Sequence, residues 1–598
     1  MTLGDWAEKH WRWLVLVFWL VVSAYMLWER WDAIRIFALG DTDDNMRMMQ
    51  VRDLIAGQGW FDLRQYRLSP PEGADIHWSR LVDLPIAAIY LLLAPLIGGR
   101  DAEQAAVAIA PMLPLLVVMF ATAVVVRRLI GGGAFAIAIA LVVCGGSARG
   151  MWAPLRIDHH GWQLAMLAVV VMALTDPKRA RGGAIAGAAT AASLAIGLEM
   201  LLYLAIAGAT IALRWVHDRE EAQRLFAYGA SLAGGCAIGF AAFASYANRM
   251  PVCDALSPVW LSAMLAAGTA AVLLAMASPR HWTARLGLGA LAGALIAVAF
   301  VLVWPDCLGR LERVPPELDR LWLSKVREAM PVYGHGFDTT MQIVTLPIAG
   351  LIGYALMLWT DRKDLKRFIG WASIAAPALL AAALLLWQTR AGPAAQMLSA
   401  PGATALAWAA ILWLMSLRYM VLRVGGVVFA FLVVSGLASG YLSMLWPDEP
   451  PSAYRQSVNT ANWRCSTMQD LRAIGLQPAG NVLTFVDLGP RLITVTHQNA
   501  VIGPYHRNSR QILDVMRAWR GNVANARTTI DRYRIDYVLI CPNMSEATIY
   551  RSEAPQGFYA QLTNNRVPNW LQPVTLPANS PFRMWRVVRQ PPARPAAG

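Results

Sequence analysis

The chain has 598 residues, 57% of them hydrophobic and only 15% charged, with a formal net charge of +14 and a mean hydropathy of +0.42. Soluble domains carry about 25% charged residues, so this composition excludes a soluble globular protein and points to a mainly α, polytopic membrane protein. A nucleic-acid partner is excluded by how the positive charge is spread: it falls in short loops between apolar runs and forms no basic stripe interleaved with aromatic residues.

The first apolar run, 13–31, closes on Glu29, Arg30 and Trp31 without a small-residue cleavage site, and reads as a retained signal anchor. Directly after it comes Gly40-Asp41-Thr42-Asp43-Asp44. Ionised carboxylates are acceptor-only groups, and two or three together attract a hard divalent cation such as Mg²⁺ or Mn²⁺, or supply a general base. Asp41 or Thr42 could instead cap a helix over 45–56, but capping does not need all three acids. His77, Trp78 and Arg80, in IHWSR, are candidate lining residues of the same cleft.

The run 84–98 is short, with prolines and glycines near its ends, and reads as an interfacial helix. Runs long enough to span follow at 104–127, 133–153, 160–175, 182–197, 199–216, 225–247, 257–277, 284–304, 341–360, 368–388, 400–417 and 422–446. With 13–31 they predict about thirteen spans. If 84–98 does not cross, then Arg127-Arg128, Lys178-Arg179-Arg181, Arg214/Arg219/Arg224, Arg280/Arg285, Arg362-Lys363-Lys366-Arg367 and Arg418/Arg423 all fall on one side. The positive-inside rule makes that side cytoplasmic.

The opposite face then receives the acidic motif, Arg156-Ile157-Asp158-His159-His160, the loop holding Val326-Arg327-Glu328-Ala329-Met330-Pro331, and Arg390 in WQTRAG. Topology was assigned from arginines and lysines alone, so the shared side of the acids argues for one composite site. Carboxylates and imidazoles at a bilayer surface are costly to desolvate and suggest chemistry. Arg156 could neutralise Asp158 structurally, and Arg390 could be a headgroup anchor or a bidentate phosphate ligand. Glu199, between paired runs or at their outer turn, is the one acid a transporter or lipid flippase, the alternative reading, could use at mid-membrane.

The expected organisation is a transmembrane domain over 1–446, with a first outer loop at 32–103 and a long outer loop at 305–340, and a C-terminal α/β domain over 447–598. In the latter, 481–487 and 535–541 read as buried strands and 509–520 as an amphipathic helix; a Pro/Ala/Arg tail from about 590 reads as disordered. There are six cysteines and no CxxC. Cys144 and Cys236 fall in apolar runs, whereas Cys253 with Cys307, and Cys465 with Cys541, could bridge in an oxidising compartment.

This layout resembles the catalytic subunit of oligosaccharyltransferases, the Stt3/PglB/AglB proteins of the GT-C fold. DTDDNMRMMQVRDLIAG resembles their first-loop acidic motif, RIDHH the archaeal form of their second motif, and KVREAMP their SVSExQP signature. The resemblance implies a divalent cation held by Asp43, Asp158 and His160, with Arg390 on the phosphate of a polyprenyl-linked sugar donor. It also implies a catalytic group in which Asp41 or Asp44 holds or deprotonates the acceptor. Glu328 would orient the acceptor or complete the metal shell, with His159 and Asp487 nearby. Where the family has WWDYG, this chain has Phe485-Val486-Asp487-Leu488-Gly489, without the tryptophans and tyrosine. The implied activity is sugar or glycan transfer to a lipid, polysaccharide or protein acceptor at the outer face. The Ala/Gly/Arg-rich composition suggests a bacterial inner membrane, with site and C-terminal domain periplasmic.

Overall fold

The computed structural model describes residues 3–309, 312, 314–445 and 450–589; the expected boundary at 446 and the tail from 590 lie outside them. The chain forms two compact units: Met1–Trp31, His77–Leu311 and Lys325–Asp448 make the first, and Asp32–Ile76, Glu312–Ser324 and Glu449–Gly598 the second.

The first unit is a helical membrane body. Among the described residues eight helices are long and apolar enough to cross a membrane, or nine if Met420–Val434 and Leu437–Ser443, bent by 75°, count as one span. Every predicted run carries a helix, but several are shorter than a span requires. Cys144-Gly145 ends the helix Phe135–Cys144 inside the run 133–153, and His160–Leu174 and Leu201–His217 have 15 and 17 residues. Arg179–Ile196 opens on two arginines and is rich in glycine and alanine. The run 84–98 is a helix, Asp83–Ile97, with Pro95 inside it.

Helices approach closely where both lack side chains. A Cβ on Gly353, in Phe337–Thr360, would collide with the carbonyl of Gly402 in Gly392–Met415. Small residues at such crossings let backbones pack where lipid offers no hydrophobic drive. The arginines of the loops expected inside are largely spoken for. Asp176 takes Arg181 and Arg128, and Glu221 takes Arg179, Arg214 and Arg224.

The second unit is built on a five-stranded sheet in the order Asn499–Ala500, Asn481–Leu483, Tyr537–Ile540, Arg583–Val587, Leu571–Pro573. The first three strands run parallel and the last two pair antiparallel. The two strands expected from sequence are present in shortened form, and the helix Ser509–Arg520 forms as expected, with Ile512, Val515, Met516 and Trp519 buried. The segment 32–76, which sequence reading keeps with the membrane part, packs against the sheet's edge. Leu68 bridges to Ala500, Arg67 donates to the carbonyls of Thr496 and Gln498 at 2.7 and 2.6 Å, and Arg52 donates to Thr494 at 2.7 Å. An edge strand covered this way offers no free backbone ladder.

Both cysteine pairs are bridged, Cys253–Cys307 in the first unit and Cys465–Cys541 in the second. Cys144 and Cys236 are free thiols.

Candidate active-site clusters

Each unit carries one of the acidic motifs singled out in the sequence. In the first, the chain turns after Gly146–Gly150 and re-enters the helix His160–Leu174, which sets Asp158, His159 and His160 at its N-terminus. Asp158 is buried, and its two oxygens have separate partners. Oδ1 accepts the His159 backbone N–H at 2.7 Å and faces His159 Nδ1 at 2.6 Å. Oδ2 faces His160 Nδ1 at 2.5 Å, with Arg156 further off at 3.7 Å. Arg156 is therefore the weaker partner, and structural neutralisation by it is not what organises the loop.

The His159 ring is pinned on every side. Its Nε2 lies 2.8 Å from Glu199 Oε1, Trp78 packs against it at 5.6 Å between ring centroids, and the His160 ring at 4.5 Å. Both ring nitrogens face carboxylate oxygens, so the geometry calls for a proton on each. Burial opposes that charge, but Asp158 and then Glu199 outweigh it and push His159 up to about 10. Burial likewise works against the Asp158 carboxylate, and His159 followed by His160 hold it well below the usual range. Glu199 is in the turn between Arg179–Ile196 and Leu201–His217, not at mid-span, where the transporter reading would need it. Gln163, one turn into the re-entrant helix, donates to its Oε2.

One ligand atom from each of Asp158, His159 and His160 lies within 4.8 Å of the others. A carboxylate beside an imidazole is a donor set that suits a divalent ion such as Mn²⁺. With both His159 nitrogens engaged by carboxylates, Asp158 and His160 are left as the pair that could hold it, the ion taking the place of the proton shared between Oδ2 and Nδ1.

Two other expected residues meet in this unit. Arg390 Nη2 donates to Glu328 Oε1 at 2.7 Å. The loop bearing Glu328 is stitched to the end of the neighbouring helix, Thr389 N to Met330 O at 2.8 Å and Val332 N to Leu385 O at 2.9 Å. The Glu328 side chain remains 55% exposed. His77 and Ser79 line a small cavity with Gly197 and Asn248. Arg80 is different: its guanidinium is fully buried in an ion pair with Asp83 at 3.3 Å, so it lines no open cleft.

In the second unit the helix starts three residues earlier than expected, spanning Thr42–Ile55. Asp41 is its N-cap, accepting the Thr42 N–H at 2.6 Å. Asp43 and Asp44 occupy the first turn, where the helix dipole favours negative charge. Asp44 is fully buried and Asp43 half-buried. Tyr505 ties down this turn by donating to Thr42 O at 3.1 Å, and Arg491 donates to Asn45 and to Phe37 O.

The loop 484–488 after the strand Asn481–Leu483 shows one side chain to solvent. Phe485, Val486 and Leu488 are buried, Phe485 among Trp519, Tyr550 and Tyr559. Asp487 keeps an accessible carboxylate although protein surrounds it densely, and desolvation, then the charge of Asp41, pushes it up to about 6. Behind it lies Glu546, absent from the expected residues. Its Oε2 accepts the Asp487 N–H at 3.2 Å and its Oε1 the Tyr550 hydroxyl. Burial, then Asp487, pushes Glu546 up to about 8.

Glu199 was visible in sequence only as an acid between apolar runs; Glu546 carried no signal, because its partner is 59 residues away.

No protein-family model matches the chain, nor does any curated protein sequence. Solved structures match, and what they show is the fold: the chain is built like GT-C glycosyltransferases, a polytopic helical body with a C-terminal α/β domain. The archaeal oligosaccharyltransferase AglB from Archaeoglobus fulgidus, in complex with an inhibitory peptide and a dolichol-phosphate, matches with a TM-score of 0.69 and 14% identity, over 95% of this chain and 73% of its own. The same protein in complex with Zn and sulfate matches at 0.61 and 13%, over 92% and 70%. ArnT from Cupriavidus metallidurans, bound to undecaprenyl phosphate, gives 0.44 and 12% over 95% and 97%. At such identities the likeness is one of fold.

Proposed function

We propose that the protein is an integral-membrane glycosyltransferase that moves a sugar or glycan from a polyprenyl-phosphate or -pyrophosphate donor to an acceptor at the outer face of a bacterial inner membrane. The observation that carries this reading is the Asp158, His159 and His160 cluster, one ligand atom of each within 4.8 Å of the others, at the start of an apolar helix. The fold, and the dolichol-phosphate and inhibitory peptide bound by the matched archaeal oligosaccharyltransferase, support it. The two disulfides support an oxidising compartment for the loops that carry them.

Asp158 and His160 would hold a divalent cation, Mg²⁺ or Mn²⁺, with Asp43 as the first-loop carboxylate the reaction needs. Such an ion, when bound, offsets negative charge developing on a leaving phosphate. Arg390 presents a planar fork of donors suited to phosphate oxygens, and Glu328 holds that fork until the donor arrives. Asp41, Asp44 and Asp487 are the carboxylates available to accept a proton or hydrogen bond from the attacking group of the acceptor. With Phe485, Val486 and Leu488 buried, the 485–489 loop offers Asp487 alone as a polar recognition group. That favours a hydroxyl-bearing glycan or lipid acceptor over an Asn-X-Ser/Thr peptide.

The test is mass spectrometry of lipids and envelope glycans from cells carrying Asp43→Asn or Asp158→Asn, against wild type. A glycosylated polyprenyl lipid should accumulate while one envelope glycan loses a sugar. Unchanged profiles in both variants, with the protein present in the membrane, refute the assignment.

A further inference from the structure

We propose that Glu199 is a positioning residue for Asp158, acting through the His159 ring; the inference rests on the divalent-cation reading of Asp158 and His160. A carboxylate on an interhelical loop turns freely about its last torsion unless something fixes it. Here Asp158 Oδ1 is fixed by two donors, the backbone and ring nitrogens of His159 at 2.7 and 2.6 Å. That leaves Oδ2 turned toward His160 Nδ1. The fixing is only as good as the orientation of the His159 ring, and Glu199 sets that orientation by holding Nε2 at 2.8 Å.

Glu199 is itself braced. Gln163 Nε2 donates to its Oε2, and the turn that carries it has glycine at 197. A Cβ on Gly197 would collide with Glu199 Oε2 and lie 2.9 Å from Gln163 Nε2. The residue that packs the carboxylate into place is thus one without a side chain. Two segments, 159–163 and 197–199, meet at the Glu199 carboxylate, His159 on Oε1 and Gln163 on Oε2, and only His159 passes the constraint on to Asp158 Oδ1.

The competing explanation is a staple between helices. A staple has no need of charge, since well-packed apolar residues hold helices as well as a buried ion pair does. Hydrogen bonds that brace a ligand carboxylate through its far oxygen, as Glu199 and His159 brace Asp158 through Oδ1, are instead how metal sites orient their ligands, and loss of such an outer partner costs about 10–100-fold in metal affinity.

The experiment titrates the purified full-length protein with Mn²⁺ and reads free Mn²⁺ by electron paramagnetic resonance, beside the melting temperature of the metal-free form. Glu199→Ala should raise the Mn²⁺ Kd by about 10–100-fold, with part of the loss recovered in Glu199→Gln, which keeps an acceptor for His159. Gly197→Ala, which displaces the carboxylate without removing it, should raise the Kd in the same direction and covers the case in which Glu199→Ala fails to fold. An unchanged Kd in a folded variant overturns the inference, even if its melting temperature falls, because that is the behaviour of a staple. If wild type itself binds no Mn²⁺, the cation reading falls and this inference falls with it. Binding by wild type with equal binding by the variants removes only the role of Glu199.

Discussion

Replacing Glu546 by glutamine isolates the buried carboxyl that lies behind Asp487 in the second unit. Glutamine reproduces its contacts: the amide oxygen can accept from the Asp487 N–H and the amide nitrogen can donate to Tyr550, which turns its hydroxyl to accept. What the variant lacks is a proton to lose. In wild type the folded carboxyl titrates at about 8, against an ordinary value of 4.5. Between those values the folded protein holds a proton that the unfolded chain has released, so stability is fully present below about pH 4.5 and is lost as pH rises toward 8. The loss amounts to roughly 5 kcal/mol, from about 1.4 kcal/mol per pH interval of one. For a unit of this size that corresponds to a fall of roughly 10–20 °C in melting temperature. Thermal melts in detergent at pH 5, 6.5, 8 and 9 measure it. Glu546→Gln should match wild type at pH 5 and stay well above it at pH 9. A variant whose melting temperature declines with the wild-type slope would show that another group titrates, and the reasoning about this pocket would fail.

Other consequences are narrower. Gly353→Ala drives a methyl against the Gly402 carbonyl and should lower stability by about 1–3 kcal/mol, read as an earlier melt of the membrane unit without a change in Mn²⁺ affinity. Arg390→Ala removes a half-buried guanidinium whose partner, Glu328, is exposed, so melting should fall only slightly; the apparent KM for the lipid-linked donor should rise about 10–100-fold, the value of a lost charged hydrogen bond. An unaltered KM would return Arg390 to the role of headgroup anchor.

How much could be read from the chain alone varies with sequence distance. Asp158 and His160 were legible because they are two positions apart, and the turn before a helix brings such neighbours together. Glu328 and Arg390 were placed on one face by loop charges, although their 2.7 Å pairing across 62 residues was not foreseen. Asp41 proved to be a helix cap, one of the two roles its surroundings allowed. Apolar runs located the helices but not their internal ends, since hydropathy does not see the break at Gly145 or the bend after Val434. The contacts of Glu199, Gln163 and Glu546 were beyond reach, because periodicity reports which face of an element is apolar and not which distant polar group meets it.

The segment 32–76 is held by partners more than four hundred positions downstream, Arg52 to Thr494 being 442 residues apart. At roughly 5–20 residues per second, the ribosome needs on the order of half a minute or more to deliver those partners after the segment has emerged. For that interval Asp41, Asp43 and Asp44 are attached to an anchored helix but have no sheet to rest on. The second unit is consequently assembled last, after the membrane body has been inserted. A fragment cut to begin near residue 450 would leave its sheet edge bare, and a chain truncated before Asn481 would leave its acidic motif without a scaffold. Maturation of the second acidic cluster is thereby tied to completion of the polypeptide.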